Sequence, residues 1–143
     1  MIGYVTIGAL DTAAALPFYD AVLGACGYER AFVEGGWAGY GAKGSETQDV
    51  LICPPHDGQP ARAGNGIMVA FLAPSKDAVR AAHEAGLANG GVDEGRPGPR
   101  PEDSTTFYGA YLRDPTVPAD EYRCPAARVY GNGVMAWTVT FAG

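Results

Sequence analysis

The side chains that most often do chemistry are few in this chain and lie far apart in it. There are two histidines, His56 and His83, and three cysteines, Cys26, Cys53 and Cys124. No His-x-x-x-His, His-x-Glu or Cys-x-x-Cys spacing occurs, so the pattern predicts neither two histidines on one metal nor a thiolate zinc site. Because the cysteine count is odd and the spacing wide, we expect reduced thiols in a cytoplasmic protein.

Isolated reactive residues each have two interpretations. His56 next to Asp57 forms either an acid–base pair over a pocket or a solvated turn in a proline-rich loop. His83 falls in a predicted helix, where a surface or packing role is favoured over metal binding, and Cys26 is expected in the core and not as a reactive thiol. The chain has no Gly-x-Gly-x-x-Gly or Walker A loop and no Gly-x-Ser-x-Gly, so neither a nucleotide site nor a serine hydrolase is predicted.

Aromatic side chains on predicted strands are more informative than the reactive residues. They are Trp37, Tyr40, Phe107, Tyr108, Tyr111 and Trp137. Lining a cavity with few polar groups, they would suit a flat organic ligand, and the alternative for each is ordinary core packing. Arg113 could pair with an anionic ligand, or it could pair with Asp114 and stabilise a turn.

The elements that position these residues repeat along the chain. Two β-rich apolar runs, at 4–11 and 68–75, end in the helix N-cap residues Asp11 and Ser75, with an offset of 64 residues. Helical spacing of apolar residues predicts helices over 12–26 and 76–88. The pattern predicts further strands at 28–33, 37–42, 49–53, 107–113 and 134–141. Two stretches rich in proline, 54–65 and 94–104, are predicted as loops.

Length and composition limit the function classes. The 143 residues predict one domain, spanning 1–143, with 47% hydrophobic residues and enough chain for a single core. A net charge of −6 argues against nucleic acid and anionic membranes as partners. No apolar run is long enough to span a bilayer, and the N-terminus does not read as a secretory signal. We therefore expect a cytoplasmic protein.

Four segments carry a resemblance to a known family. They are MIGYVTIGALD at 1–11, LPFYDAVLG at 16–24, GNGIMVAF at 64–71 and YLRDP at 111–115. In this order and spacing they resemble the vicinal oxygen chelate superfamily, which includes glyoxalases, bleomycin-resistance proteins and ring-cleaving dioxygenases. The resemblance implies an α+β fold of two βαβββ modules, at about 1–60 and 64–143, whose mixed curled sheet forms a cleft. It also implies a homodimer.

In that family, four strand side chains usually hold a divalent metal, and this sequence departs from the pattern. The first strands of the two modules carry Tyr4 and Met68 at the expected ligand positions, and phenol and thioether are poor ligands for such a metal. The segment 49–53 lacks glutamate, and 134–141 lacks any carboxylate. After residue 115 the chain holds either an insertion before the last strand or a different ending. No cofactor is therefore expected, with a divalent metal as the alternative.

The resemblance and the departures together predict a binding protein. We expect it to hold a small organic molecule in an aromatic cleft without the usual metal. The expected ligand-binding residues are Tyr4, Thr6, Trp37, Tyr40, Met68, Tyr108, Tyr111 and Arg113. The first alternative is a lyase, isomerase or dioxygenase of the glyoxalase type that uses altered metal ligands. The second is a dimeric domain whose site has lost its function.

Overall fold

The chain folds as two modules with the same order of elements. The computed structural model describes residues 2–116 and 137–142. The first module contains β1 (Val5–Gly8), α1 (Thr12–Ala25), β2 (Tyr28–Glu34), β3 (Trp37–Ala42) and β4 (Val50–Cys53). The second contains β5 (Ala63–Phe71), α2 (Lys76–Ala88), β6 (Val92–Pro99), β7 (Tyr108–Arg113) and β8 (Trp137–Ala142). The predicted α+β fold of two βαβββ modules is confirmed. None of the described helices is long and apolar enough to cross a membrane.

Both helices begin at the N-cap residues that the repeat predicts. The Asp11 side chain accepts a hydrogen bond from the Ala14 amide at 3.1 Å, and Ser75 accepts one from the Ala78 amide at 3.0 Å. Each cap satisfies an amide that the first helical turn leaves without a partner. Just past α1, Gly27 has a φ of +88°, a left-handed conformation that favours glycine and turns the chain into β2.

The strands form one mixed sheet that is not closed. Its order is β2-β3-β4-β1-β8-β7-β6, and β5 pairs with β8 outside this path. In the first module, β4 lies parallel to β1 and antiparallel to β3. The modules meet where Gly8 of β1 pairs with Ala142 of β8.

The last strand runs in the opposite direction to its counterpart in the first module. Whereas β4 is parallel to β1, β8 is antiparallel to β5 and parallel to β7. Parallel neighbours need a long crossover, and residues 114–136 between β7 and β8 supply the length. The predicted strand at 134–141 is therefore present, at Trp137–Ala142, but as a different ending. The crossover residues 117–136, with Cys124, lie outside the described residues.

The predicted loop over 94–104 is wrong for its first part, because Val92–Pro99 forms β6. This strand pairs with β7 alone, at the edge of the sheet, where proline removes no bond that a neighbour needs. Its register shifts twice against β7, between Asp93 and Gly95 and between Gly95 and Gly98. These irregularities accommodate the prolines and glycines that favoured a loop in the sequence.

The hydrophobic core lies between the helices and one side of the sheet. Phe18, Tyr19 and Val22 of α1 pack with Val79 of α2 and with buried residues of both modules, such as Ile7. The opposite side of the sheet, which we call the open face, receives the alternate residues of each strand. Any ligand site on the sheet must therefore be built from the open face.

Candidate functional site

In the first module, the open face carries the residues predicted at its start. Val5 and Ile7 of β1 pack in or against the core, so Tyr4 and Thr6 point to the open face. Thr6 pairs with Leu51 of β4, which pairs with Gly39 of β3. This row brings short or aliphatic side chains together in the middle of the face.

Exposed aromatic side chains border this row. Gly39 pairs with Phe32 of the edge strand, whose ring covers the glycine, because a Cβ built at Gly39 would lie 2.2 Å from Phe32 Cε1. Two positions before Gly39 on the same strand, Trp37 is 40% exposed, and Tyr4 is 61% exposed. The open face of the first module is therefore aromatic and accessible.

In the second module, three predicted residues lie in adjacent rows of the open face. Met68 of β5 pairs with Thr140, which pairs on its other side with Arg113 of β7. Neighbouring strands are about 4.8 Å apart, so the Met68 and Arg113 backbones are roughly 10 Å apart across β8. Tyr111 lies two positions before Arg113 and faces the same side.

Tyr40 and Tyr108, by contrast, lie on the helix-facing side of the sheet and take no part in the open face. Tyr40 is buried and donates a hydrogen bond to Asp20 Oδ1 at 2.9 Å. Tyr108 packs against α2, where Arg80 donates to its hydroxyl at 3.0 Å and Lys76 Nζ lies 5.4 Å from its ring centroid. Composition could not assign these two rings, because strand parity decides which side a ring occupies.

Arg113 is anchored by a carboxylate other than the predicted one. It donates to Glu94 Oε1, and both side chains are largely buried. Asp114 instead accepts hydrogen bonds from Tyr19 and from Thr116. The open face of the second module therefore contains an ion pair formed by Arg113 and Glu94, and not the turn pair Arg113–Asp114.

Arg100 is a functional candidate that the sequence did not single out. Its guanidinium donates to the Pro99 carbonyl at 2.9 Å and to the Arg96 carbonyl at 2.8 Å, and it lies 5.9 Å from the centroid of the Tyr111 ring. The signal in the sequence was the alternation of glycine with arginine in 95–100, which the loop prediction left unused. We return to this residue below.

The remaining reactive residues have structural roles or stand apart. His83 is buried on α2 and its Nε2 lies 3.0 Å from Asp93 Oδ1, which confirms packing. Burial raises the pKa of Asp93, but hydrogen bonds from His83 and the Gly95 amide outweigh it, and the net shift is downward. Cys26 is buried as predicted, and burial raises the pKa of its thiol to about 12, so it is inert at neutral pH.

A buried hydrogen bond joins the two modules behind the open face. Tyr19 of α1 is fully buried and donates to Asp114, which follows β7. Burial, and then the charge and hydrogen bond of Asp114, raise the pKa of Tyr19. Burial and the hydrogen bond to Asp20 likewise raise the pKa of Tyr40. Both phenols therefore stay neutral and act as fixed donors.

Comparison with known proteins identifies the family. The family described as the Glyoxalase/Bleomycin resistance protein/Dioxygenase superfamily matches residues 1–116. The chain belongs to this superfamily. A glyoxalase/bleomycin resistance protein from Albidiferax ferrireducens T118 is 30% identical, with 96% of this chain and 94% of that one covered and a TM-score of 0.69. No curated protein matches the chain.

Two more distant structures share the fold of this superfamily member. A hypothetical protein from S. aureus is 14% identical and has a TM-score of 0.58, and the alignment covers 96% of this chain and 91% of that protein's chain. A glyoxalase-related enzyme from Fulvimarina pelagi is 16% identical and has a TM-score of 0.56, and the alignment covers 99% of this chain and 87% of that enzyme's chain. At these identities the likeness concerns the fold and not the reaction.

The metal that the superfamily resemblance implies does not fit the side chains at the corresponding positions. The expected ligand positions hold the Tyr4 phenol, just before β1, and the Met68 thioether of β5, and β4 contains no carboxylate. A phenol and a thioether are not usual ligands of a hard divalent metal. Within residues 2–116 and 137–142, no group of three or more His, Cys, Asp or Glu side chains could hold a metal ion. The side chains of the described residues therefore do not fit that metal.

Proposed function

We propose that this member of the superfamily binds a small, flat organic molecule on its open face and does so without the divalent metal of the family. One observation carries the proposal. The positions that the resemblance assigns to metal ligands on the first strands of the two modules hold Tyr4 and Met68, and Leu51 of β4 lies beside Thr6 in the middle row of the open face. A phenol, a thioether and an aliphatic chain contribute contact area and adaptable packing in place of coordination.

The exposure of the aromatic side chains supports a ligand rather than core packing. Tyr4, Phe32 and Trp37 are 61%, 37% and 40% exposed on one face of the first module. A ligand that covers such rings removes apolar surface from water, which contributes about 25 cal/mol per Å² before the costs of binding. Sites for flat ligands combine such surfaces with a few polar groups, and on this face the Thr6 side chain is exposed and Arg113 pairs with Glu94.

The test is a screen followed by a matched pair of variants. Thermal unfolding is measured with a panel of flat aromatic compounds, since a ligand that binds only the native state raises its stability. The dissociation constants of the compounds that stabilise the protein are then measured by calorimetry for the wild type, Trp37→Ala and Leu87→Ala. Both residues are 40% exposed, but Leu87 lies on α2, away from the open face.

We expect Trp37→Ala to weaken binding by about tenfold, as for the loss of one aromatic contact, and Leu87→Ala to leave it unchanged. A panel without any stabilising compound would contradict the proposal. So would equal losses in the two variants, because binding would then not involve the open face.

The metal content of the protein distinguishes this proposal from its alternative, an enzyme of the glyoxalase type that uses altered metal ligands. The protein is purified without chelator or affinity metal, and nickel, zinc, manganese and iron are measured per chain. We expect less than stoichiometric metal and unchanged ligand affinity after chelator treatment. One equivalent of metal, together with ligand binding that chelation abolishes, would refute the metal-free part of the proposal.

The homodimer also belongs to the proposal. The edge strand β2 supports it, because the six residues after Tyr28 are all exposed and Phe32 and Val33 are among them. An exposed apolar edge strand is a surface that a partner commonly covers. Light scattering coupled to size exclusion should give twice the mass of one chain, and the mass of one chain would contradict it.

A further inference from the structure

Arg100 is held in a fixed position on the open face of the second module. Two of its five N–H donors bond the Pro99 and Arg96 carbonyls at 2.9 and 2.8 Å, and its guanidinium carbon lies 5.9 Å from the Tyr111 ring centroid. The residue is half-buried. A long side chain usually loses rotamer freedom on binding a ligand, and here that freedom is already lost.

Two glycines of β6 make room for this arrangement. A Cβ at Gly98 would lie 2.9 Å from Arg100 Nη1, and a Cβ at Gly95 would lie 2.7 Å from Tyr111 Cδ2. A side chain at either position would therefore displace the guanidinium or the ring beneath it. Glycine at these two positions therefore leaves the space that the Arg100 guanidinium and the Tyr111 ring occupy.

The charge of Arg100 is not neutralised within the described residues, whereas the charges around it are. Asp93 faces Arg96, with 3.9 Å between Oδ2 and Nε, and Glu94 pairs with Arg113. Glu102 and Asp103, in the following turn, are exposed, and no carboxylate of residues 2–116 lies within 4.0 Å of an Arg100 nitrogen. Among the described residues, Arg100 is therefore a guanidinium of the open face that no carboxylate holds in an ion pair.

We propose that Arg100 binds the carboxylate of the ligand, so that the protein recognises a flat organic acid. This inference rests on the proposed function and names its ligand class. Arg100 has three N–H donors left, in a planar fork that matches the two oxygens of a carboxylate. Met68 lies on the same face, across β8 from Arg113, and adds a polarizable apolar group to it.

The experiment compares an acid with its neutral isostere. Calorimetry measures the dissociation constants of 2-naphthoate and 2-naphthamide, which differ in charge but hardly in shape. We expect the wild type to prefer the acid by about tenfold, the scale of one hydrogen-bonded charge pair. Arg100→Gln should reduce this preference to about one. Arg96→Gln removes the same charge from the same strand, at a side chain that is 90% exposed, and should keep the preference.

A second variant moves the charge without removing it. Gly98→Ala places a Cβ where Arg100 Nη1 now lies, so the guanidinium must shift, and the preference for the acid should fall as it does in Arg100→Gln. Gly24→Ala, where a Cβ would meet nothing within 4 Å, is the control and should keep the preference. Circular dichroism spectra verify that all four variants are folded.

The outcomes separate this inference from the proposed function. If both compounds bind equally and Arg100→Gln changes nothing, the open face binds flat molecules but Arg100 does not select acids, and the inference is refuted alone. If no flat compound binds, the proposed function fails first. Inorganic phosphate is the third probe, and stabilisation by phosphate as strong as by 2-naphthoate would show a simple anion site and refute the assignment to an organic acid.

Discussion

The hydroxyl of Tyr19 should contribute more to stability than any other tyrosine hydroxyl for which the structure shows a partner. It is fully buried and donates to the buried carboxylate of Asp114, which joins α1 of the first module to the end of β7 in the second. Tyr19→Phe removes this donor and leaves Asp114 Oδ2 without it, while Thr116 still donates to Oδ1 at 2.7 Å. Hydrogen bonds to buried charged groups contribute about 1.5–3 kcal/mol, so we expect a loss in that range.

Two other tyrosines supply a graded comparison. Tyr40 donates to Asp20 at 2.9 Å, and because the Asp20 side chain is 41% exposed, Tyr40→Phe should cost about 1 kcal/mol. The Tyr108 hydroxyl accepts from Arg80, whose side chain is 48% exposed, so Tyr108→Phe should cost the least of the three. The three substitutions remove the same atom, and the partners differ in burial and, at Tyr108, in being a guanidinium donor and not a carboxylate acceptor.

Urea unfolding at pH 7, followed by circular dichroism, measures the free energy of unfolding of each variant. A double-mutant cycle of Tyr19→Phe with Asp114→Asn then isolates the interaction of the pair, and we expect a coupling above about 1 kcal/mol. Equal costs for the three tyrosines would refute the reasoning, because burial would then not set the magnitude. A coupling near zero would show that the two side chains do not act as a pair in solution.

Three further predictions concern the core, the thiol and the metal. Gly86→Ala should lower the free energy of unfolding in urea by roughly 1 kcal/mol, because the added Cβ would lie 2.2 Å from Leu112 Cδ1. This overpacking exceeds the gain in helix propensity, so a stabilised variant would contradict the prediction. In the folded protein the pKa of the Cys26 thiol is raised to about 12, whereas in the unfolded chain it is near 9.0. The protonated thiol therefore contributes to the free energy of unfolding at pH values below 9, and this contribution is lost as the pH rises from 9 towards 12. Between pH 7.5 and 10 the wild type should therefore lose about 1.4 kcal/mol more than Cys26→Ala, and parallel losses would disprove the linkage. Chelator treatment should leave the affinity for 2-naphthoate unchanged, and a loss that added nickel or zinc restores would contradict a metal-free site.

The order of elements could be predicted because each signal is local. N-cap residues, helical spacing and the offset of 64 residues predict α1 and α2 to within one residue of their observed ends. β6 could not be predicted in the same way. Its prolines and glycines argue against a strand locally, and only pairing with β7 at the edge of the sheet makes the strand stable.

The candidate site was predictable only as far as strand parity could be assigned. For Tyr4 and Thr6 the alternation with Val5 and Ile7 was clear, and the structure places them on the open face. The run 107–113 is apolar on both sides, so composition alone could not show that Tyr111 faces the open side and Tyr108 the helix. Arg100 could not be predicted as a site residue for another reason. Its position depends on contacts with the two neighbouring strands β6 and β7.

Equivalent positions of the two helices show how the modules have diverged while keeping one physical role. Tyr19 and His83 stand 64 residues apart, both are buried, and each holds a carboxylate at a strand of the second module. Tyr19 reaches Asp114 across the module boundary, whereas His83 reaches Asp93 within its own module. The helices are therefore tied to the ends of β7 and β6, the two strands whose open side carries Arg113 and Glu94.

This anchoring bears on how a superfamily member can recognise a ligand without the usual metal. Under the proposed function, Met68 and Leu51 on the open face would give a ligand apolar contact in place of coordination, and apolar contact has little directional preference. Orientation of a bound molecule would then come from fixed charges, and on the open face of the second module Arg113 lies on β7, Glu94 on β6 and Arg100 just beyond β6. A guanidinium held by two carbonyls and seated over Gly98 meets this need, because its donors keep their direction before the ligand arrives. On this reasoning Gly98→Ala should impair selection between acid and amide more than it impairs affinity for the neutral amide, and the reverse pattern would show that Arg100 serves the strand and not the ligand.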